Sequence, residues 1–367
     1  MNRLKQTLKR VAEQGEALSR DEARHLLTEI LLTESGEGDV EIASLLTAFT
    51  TRGETVDELT GFAEAMRARS LSIPLTNEER SALVDTCGTG GDGLGTFNIS
   101  TGAALVAVAA GAKVAKHGNR AVTSYCGSAD VLEAMGVPVA LGPEQAVECL
   151  RATGFMFLYA PALHPALKRV QAIRRALGFR TIFNLAGPLT NPAGAPAQVM
   201  GVYSAAKVSL VAETMARLGV RHAFVVHGLD GLDELTLTDE SSVAEVRTAG
   251  NREQGSGNRE KGSGSSVRLF RITPEEAGLS RAALVELKGA ETALENATVL
   301  KRIFSGEAGP RRDIVVLNAA AALVAAGVAA DFREGAARGA EAIDSGGVEN
   351  VLTKLREFAR SISAATR

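Results

Sequence analysis

Three stretches of this chain carry residue types that could do chemistry. The first runs from 85 to 130. There Gly88, Gly90 and Gly91 form a tight turn, GTGGD, between a short apolar run ending at Leu83-Val84 and a helix of small apolar residues opened by Asn98-Ile99-Ser100-Thr101. Glycine has no Cβ, so such a turn can take φ > 0 and come close to a ligand. The amides it exposes, and the unpaired N–H groups at the start of the next helix, favour an anion. A basic segment at 116–124, KHGNRAVTS, follows one helix later, after a short strand at 113–115. It adds two cations, Lys116 and Arg120, with hydroxyl and amide donors beside them. The pair of loops suits a ligand with more than one phosphate.

The second stretch is the acidic run at 227–234, HGLDGLDE, just past a β-rich run ending at Val226. Adjacent carboxylates at a strand end, in a chain that handles phosphates, suit Mg2+, a hard cation that prefers oxygen and keeps several waters. Consecutive acids on a surface loop are more often merely solvated, and the run alone does not choose between the two readings. The third stretch is a helix at 165–177, PALKRVQAIRRAL, with cations at Lys168, Arg169, Arg174 and Arg175. A guanidinium fork matches a planar carboxylate, but most of these charges read as a solvated basic face, and spacing does not separate Arg174 from Arg175. His227 reads as a structural histidine. Cys87, Cys126 and Cys149 are odd in number and lack CxxC spacing, which argues against a disulfide frame or a zinc cluster. Cys87 and Cys126 have no base beside them and read as small, half-buried fillers.

The elements that must position these residues follow from periodicity. Residues 1–72 are helical: Ser19 caps a helix with Asp21 and Glu22 in its first turn, and apolar stripes recur at Leu26, Leu27, Ile30, Leu31, then Ile42, Leu45, Leu46, Phe49, then Val56, Leu59, Phe62, Met66. These make a small bundle, whose stripes could equally form an oligomer contact. Residues 72–75, SIPL, break the pattern and form the linker. From Leu83 onward short β-rich runs, at 155–159, 198–203 and 221–226, alternate with helical stretches, which indicates an α/β fold: a mainly parallel central sheet flanked by helices, preceded by a small all-helical domain. Ligands of such sheets sit beyond the carboxyl ends of the strands, and GTGGD, KHGNR and HGLDGLDE all follow strands. Residues 178–192, GFRTIFNLAGPLTNP, read as a rigid irregular loop. Residues 250–263 are a tandem repeat, GNREQGS then GNREKGS. With no apolar residue it buries nothing and reads as a flexible insertion, at about 249–266, on the surface or at a hairpin tip.

Length and charge bound the class. The 367 residues allow two or three domains, and a net charge of −3 gives no global basic field for nucleic acid or a membrane surface. Any anion site is therefore local. The N-terminus has no apolar core segment of a leader, and no apolar stretch is long enough to span a bilayer, so the expectation is a cytoplasmic protein.

GTGGD ends neither in the GKS or GKT of a P-loop nor as the GxGxxG of a dinucleotide fold. GTGGD, TFNIST and KHGNRAVTS in this order instead resemble the anthranilate phosphoribosyltransferase family, and the resemblance covers nearly all the chain outside the repeat. It implies transfer of the phosphoribosyl group of phosphoribosyl pyrophosphate to the amine of anthranilate in tryptophan biosynthesis, by attack on ribose C1 with inversion. An aromatic amine needs no strong base, so positioning and charge stabilisation are the protein's share. The resemblance assigns Gly88, Gly91, Asp92, Thr96, Asn98, Ile99, Ser100, Thr101, Lys116, His117, Gly118, Asn119, Arg120, Ala121, Val122, Thr123, Ser124 and Ser128 to phosphoribosyl pyrophosphate. It assigns Gly88, Asn119 and Arg174 to anthranilate, with Arg174 meeting the carboxylate and Pro188 lining the acceptor channel, and Ser100, Asp233 and Glu234 to Mg2+, as a pair of ions per subunit. No residue is singled out as the catalyst; Lys116, Asn119 and Arg174 position the substrates. It also implies a homodimer built by residues 1–72, with residues 76–367 as the catalytic domain. A pyrimidine-nucleoside phosphorylase shares the fold but differs in its glycine and lysine segments, and a non-catalytic nucleic-acid-binding relative would show a broad basic surface and lack the acidic pair.

Overall fold

A computed structural model of the chain describes residues 3–34, 36–121, 126–248 and 264–365. Val122, Thr123 and Ser124 of the basic segment, and the tandem repeat at 250–263, lie outside the described residues.

Four helices open the chain: α1 (Arg3–Glu13), α2 (Arg20–Leu32), α3 (Asp39–Arg52) and α4 (Val56–Arg67). Two of them start on reciprocal caps. Ser19 Oγ accepts the Glu22 amide at 3.3 Å while the Glu22 carboxylate accepts the Ser19 amide at 2.9 Å, and Thr55 and Glu58 repeat the exchange. Gly61 lets α4 lie against the backbone of α2, since a Cβ there would sit 2.8 Å from the Arg24 amide nitrogen. The apolar stripes read from the sequence are buried, except that Val56 is half-exposed.

The remainder is built on one seven-stranded sheet: β1 (Leu83–Asp85), β2 (Lys113–Gly118), β3 (Phe155–Tyr159), β4 (Ala197–Gly201), β5 (His222–Gly228), β6 (Ser241–Thr248) and β7 (Ser265–Ile272). The order is β3-β2-β1-β4-β5-β6-β7, parallel from β3 to β5 and antiparallel at the β5–β6 and β6–β7 pairs. The repeat therefore falls between two antiparallel partners. Twelve further helices follow in chain order: α5 (Asn77–Ser81), α6 (Ile99–Ala109), α7 (Ser128–Ala134), α8 (Pro143–Thr153), α9 (Ala160–Leu163), α10 (Lys168–Leu177), α11 (Ile182–Ala186), α12 (Val208–Arg217), α13 (Ala293–Phe304), α14 (Pro310–Ala326), α15 (Phe332–Asp344) and α16 (Gly347–Ala365).

Strand alternation divides the interior into two cores. Val199, Phe224 and Val226 face α6, α13, α14 and α15; Met200, Ala223 and Val225 face the other way, into a core shared by α10, α11, α12 and the four N-terminal helices. The small helical domain thus closes its core against one face of the sheet, and Phe62 meets Phe183 edge-on at 5.7 Å across that junction. Among the described residues no helix is long and apolar enough to cross a membrane.

Several boundaries differ from the sequence reading. β4 and β5 cover 197–201 and 222–228 rather than 198–203 and 221–226, so His227 and Gly228 are strand. The stretch 178–192, read as an irregular loop, holds α11 and a 3-10 turn, Gly187–Thr190. Two others bear on the basic residues. β2 does not stop at Ala115: β3 continues beside it, pairing Lys116 with Phe157, His117 with Leu158 and Gly118 with Tyr159, so the first three residues of the basic segment are strand rather than loop. The basic helix begins at Lys168, because Pro165 to Leu167 form a separate 3-10 turn.

Candidate active site

In this strand order the chain winds outward from β1 to β3, then returns to start again at β4. The crevice between the carboxyl ends of β1 and β4 is therefore the place where an open α/β sheet binds its ligand. Both strand ends carry glycine for close approach. Thr89 donates its amide to the Gly201 carbonyl at 2.9 Å, and Tyr203 donates its own to Thr89 Oγ1 at 3.0 Å, which ties the GTGGD turn to β4. A Cβ on Gly88 would lie 3.2 Å from the Gly201 carbonyl oxygen. Gly90 and Gly91 take φ of 64° and 77°, the left-handed region that glycine enters without strain. Arg180, from the loop before α11, stacks on Tyr203 at 4.5 Å and donates a guanidinium hydrogen bond to the Gly91 carbonyl.

Asp233 and Glu234 lie in the loop after β5 and reach the same crevice. Thr86, Gly88, Ser100, Ala103, Val199, Gly201, Glu234 and Asn318 line one small pocket. Glu234 lies beside the hydroxyl and the backbone amide of Ser100, which favour its charged form, so its carboxylate faces the first turn of α6. Burial is the main cause that pushes Glu234 up to about 7, against the pull of Lys116 and Ser100, and Asp92 pushes it further up. Asp233 is raised by burial first, then by Glu234 and Asp92. Lys116 lies beneath: its ammonium donates to the Thr86 carbonyl at 2.7 Å, to Thr86 Oγ1 at 3.1 Å and to Ser100 Oγ at 3.4 Å, and burial lowers its pKa. Two half-buried carboxylates, both disfavoured in the charged form, with the Ser100 hydroxyl beside Glu234, form a hard oxygen set that fits Mg2+ and not a soft metal. Among the described residues no group of three or more His, Cys, Asp or Glu side chains is placed to hold a metal. The chain offers part of a shell, as is usual for Mg2+ bound together with a phosphate ligand.

The basic segment divides by strand alternation. His117 presents its ring to the side opposite Lys116, against the ring of His164 at 5.2 Å; neither His117 nitrogen has a partner among the described residues. Burial first, then His164 and Lys116, hold His117 down at about 3, and burial, against the Thr190 backbone, holds His164 at about 4. Gly118 packs on Ser128, whose hydroxyl donates to the Asn119 carbonyl at 3.2 Å. Asn119 is exposed and its Oδ1 accepts the Arg120 amide at 2.8 Å. Arg120 pairs with Asp130 and Glu133 of α7, and the Ala121 amide donates to Asp130. Asn98 donates to the Cys126 carbonyl at 3.0 Å while its buried Oδ1 has no partner among the described residues. Asp92 Oδ1 accepts the Leu94 amide, and Thr96 makes a lone antiparallel bridge to Lys288. The side chains of Ile99 and Thr101 are buried, Ile99 within the apolar core, and the Ile99 amide donates to the Phe97 carbonyl at 2.7 Å, so neither side chain meets a ligand.

The four cations of 165–177 separate once their surroundings are seen. Arg169 is committed to the helical domain through the Thr33 and Glu37 carbonyls and Asp39. Lys168 and Arg175 are exposed. Arg174 alone of the four is half-buried with only the face of Phe183, at 5.3 Å, against its guanidinium, and burial lowers its pKa. Pro188 is buried, and its carbonyl accepts from Gln198.

Sequence reasoning did not single out Asp85, Asn191, Gly201 or Asn318. The Asp85 carboxylate is buried between β1 and β2, accepting the His117 amide at 3.1 Å and Asn191 Nδ2 at 2.8 Å; Asn191 Nδ2 also donates to the Ala115 carbonyl. Burial raises Asp85 to about 6 despite those bonds and Lys116. Other residues take the bland reading. Asp230 accepts from Leu232, Thr236 and Thr238 and shapes its own loop, and His227 Nδ1 lies 2.7 Å from the Val202 carbonyl. The three cysteines are free, and burial raises each thiol, Cys87 beside Asp85 most of all.

The helical-bundle domain of the glycosyl transferase family matches residues 5–70 of the chain, and the a/b domain of that family matches residues 80–348. The anthranilate phosphoribosyltransferase of Symbiobacterium thermophilum is 46% identical over 361 residues, 98% of this chain and 99% of that protein. The crystal structure of the Thermus thermophilus anthranilate phosphoribosyltransferase superposes with a TM-score of 0.82 at 42% identity, covering 96% of this chain and 99% of that one. The Saccharomyces cerevisiae enzyme, solved in complex with PRPP and Mg, gives 0.83 at 27% identity over 98% of both chains.

Proposed function

The chain belongs to the anthranilate phosphoribosyltransferase family and transfers the phosphoribosyl group of phosphoribosyl pyrophosphate to the amine of anthranilate in tryptophan biosynthesis, and we propose that the β1–β4 crevice is where it does so. One observation carries the placement. The glycine turn and the first turn of α6, neighbours in sequence, and the acidic pair, far from both, converge on the same switch point.

The diphosphate is held by the amides of the GTGGD turn and of the α6 N-terminus, with Asn98, Ser128 and the segment from Lys116 to Ser124 around the rest of the molecule. Ser100, Asp233 and Glu234 hold Mg2+, as a pair of ions per subunit. When bound, the cation neutralises charge on the diphosphate and makes it a better leaving group. Lys116 spends its donors on Thr86 and Ser100; it fixes the floor of the site and balances the buried carboxylates. Arg174 forks onto the anthranilate carboxylate, with Asn119 and Pro188 lining the same acceptor side. His117 and His164, held at about 3 and 4, are neutral at working pH. They orient a ligand by hydrogen bonding and carry no charge of their own. None of these groups is a strong base, as suits a nucleophile that attacks as the free amine. Residues 1–72 are the dimerisation domain and residues 76–367 the catalytic domain; Leu32 and Val40 stand 66% and 76% exposed on the former, an apolar surface for a second copy.

The test follows the loss of anthranilate fluorescence with phosphoribosyl pyrophosphate and Mg2+, against an EDTA control. Turnover that depends on Mg2+, and that falls by at least about 10²-fold in Asp233→Ala/Glu234→Ala, is expected. Unchanged turnover in that folded double variant would sink the metal assignment.

A further inference from the structure

The acidic pair lies in a stretch of irregular backbone, residues 229–240, that neither a helix nor a strand holds in place. Two adjacent carboxylates in a buried place repel each other, so the loop needs restraint on both sides. On the N-terminal side it has it: the Leu232 carbonyl accepts the Gly228 amide at 2.8 Å, and Asp230 takes the Leu232 amide at 3.1 Å. On the C-terminal side the restraint comes from a distant helix. Asn318 Oδ1 accepts the Leu235 amide at 3.0 Å, and Asn318 Nδ2 donates to the Leu235 carbonyl at 3.0 Å. Its second amide proton goes to the Ile314 carbonyl one turn back, at 2.9 Å. Asn318 is buried in α14 among valines and alanines, so every polar group it carries is spent in this arrangement.

We propose that Asn318 is a positioning residue for the metal-binding acidic pair. By pinning both backbone groups of Leu235 it fixes the residue after Glu234 and keeps the Glu234 carboxylate on Ser100 at the first turn of α6. Asn318 also lines the pocket that Glu234, Ser100 and Gly88 share. The carboxamide offers a donor and an acceptor side by side, matching one residue's N–H and C=O, and glutamine, the other carboxamide, is one methylene longer. This inference rests on the reading of Asp233 and Glu234 as Mg2+ ligands.

The experiment measures phosphoribosyl pyrophosphate binding by calorimetry as Mg2+ is titrated, for the native chain, Asn318→Ser and Glu234→Gln, with steady-state kinetics beside it. Asn318→Ser is the informative variant. A serine can return its hydroxyl to the carbonyl four residues back, so the bond within α14 survives, but it is too short to clamp Leu235. The Mg2+ concentration that half-saturates binding is expected to rise about ten-fold or more, with the KM for anthranilate unchanged. Asn318→Ala serves as a second variant and should give the same shift where it folds. A folded Asn318→Ser protein whose Mg2+ midpoint matches the native one would overturn the clamp, provided Glu234→Gln moves that midpoint. If Glu234→Gln leaves it unmoved as well, the metal reading has failed and the clamp falls with it. A merely structural role would lower the melting temperature and leave the midpoint where it was.

Discussion

Gly201→Ala tests the claim that the two strand ends and the acidic pair form one unit. A Cβ at that position would sit 2.6 Å from the Asp233 carbonyl carbon and 3.5 Å from the Glu234 nitrogen, and it would overlap the Asp233 carbonyl oxygen outright. Carbon atoms in contact need about 3.5 Å or more, and the overlapped oxygen demands a larger shift than the carbon, so the Asp233-Glu234 backbone must move by clearly more than about 1 Å. β4 cannot retreat instead, because the Gly201 carbonyl holds the Thr89 amide and Gly201 pairs with Val226. Overpacking of this kind costs about 1–3 kcal/mol, which a chain of 367 residues survives. A 1 Å misplacement at a reacting centre costs on the order of 10²-fold in rate. The expected result is therefore a protein that melts a few degrees lower, with kcat/KM for phosphoribosyl pyrophosphate down about 10²-fold. Kinetics by anthranilate fluorescence and a thermal melt on the same sample decide it. Activity within a few fold of native, with an unchanged melt, would show that the carboxylates do not depend on this contact.

Arg174→Ala should raise the KM for anthranilate and spare that for phosphoribosyl pyrophosphate, whereas Arg175→Ala, an exposed neighbour, should change neither; the reverse pattern would refute the assignment. In metal-free protein Glu234, raised to about 7 from 4.5, favours the fold when protonated, so its contribution is present below pH 4.5 and lost as pH rises through 7. His117 and His164 are lowered and add stability as pH rises to about a unit past their ordinary value of about 6.5, about 0.4 kcal/mol each between about pH 6.5 and 8. The difference between native protein and Glu234→Gln in urea unfolding over that range removes their share and should show a loss of about 1 kcal/mol. Native stability relative to Glu234→Gln should therefore fall over that range; a difference that stays flat would place the origin elsewhere.

The parts of the site legible in the sequence are those whose chemistry is local. GTGGD announces its turn by its glycines, of which Gly90 and Gly91 take positive φ, as do Gly93 and Gly95 just beyond it. The opening of α6 and the acids after β5 can be read from what immediately precedes them. The α/β alternation was legible for the same reason, apart from the end of β2, where pairing to β3 carries Lys116 to Gly118 into the sheet. What could not be read acts across long separations. Asn191 holds Asp85 over 106 residues, and Asn318 holds Leu235 over 83. Gly201 is one glycine among 38 until its neighbour across the crevice is known. Asn318 did leave a trace: it is a lone amide in the apolar stretch of α14, a place where a polar residue must find a partner or cost stability.

The same distinction explains how a site with so many carboxylates can receive a polyanion. Asp85 is buried and Asp233 and Glu234 are half-buried at the ends of β1 and β5, and loss of hydration raises each of them. Against them the chain sets one buried ammonium, Lys116, which lies between Asp85 on β1 and Glu234 on the α6 side and spends its three donors on Thr86 and Ser100. One cation cannot balance three carboxylates, so the crevice carries a charge deficit that a divalent ion relieves. With that ion in place, the free amides left in the glycine turn and the first turn of α6 would face the ligand as donors. Attraction for the phosphates is then conditional on the metal. The strong perturbation of the acid pair is the form in which that condition is stored in the fold.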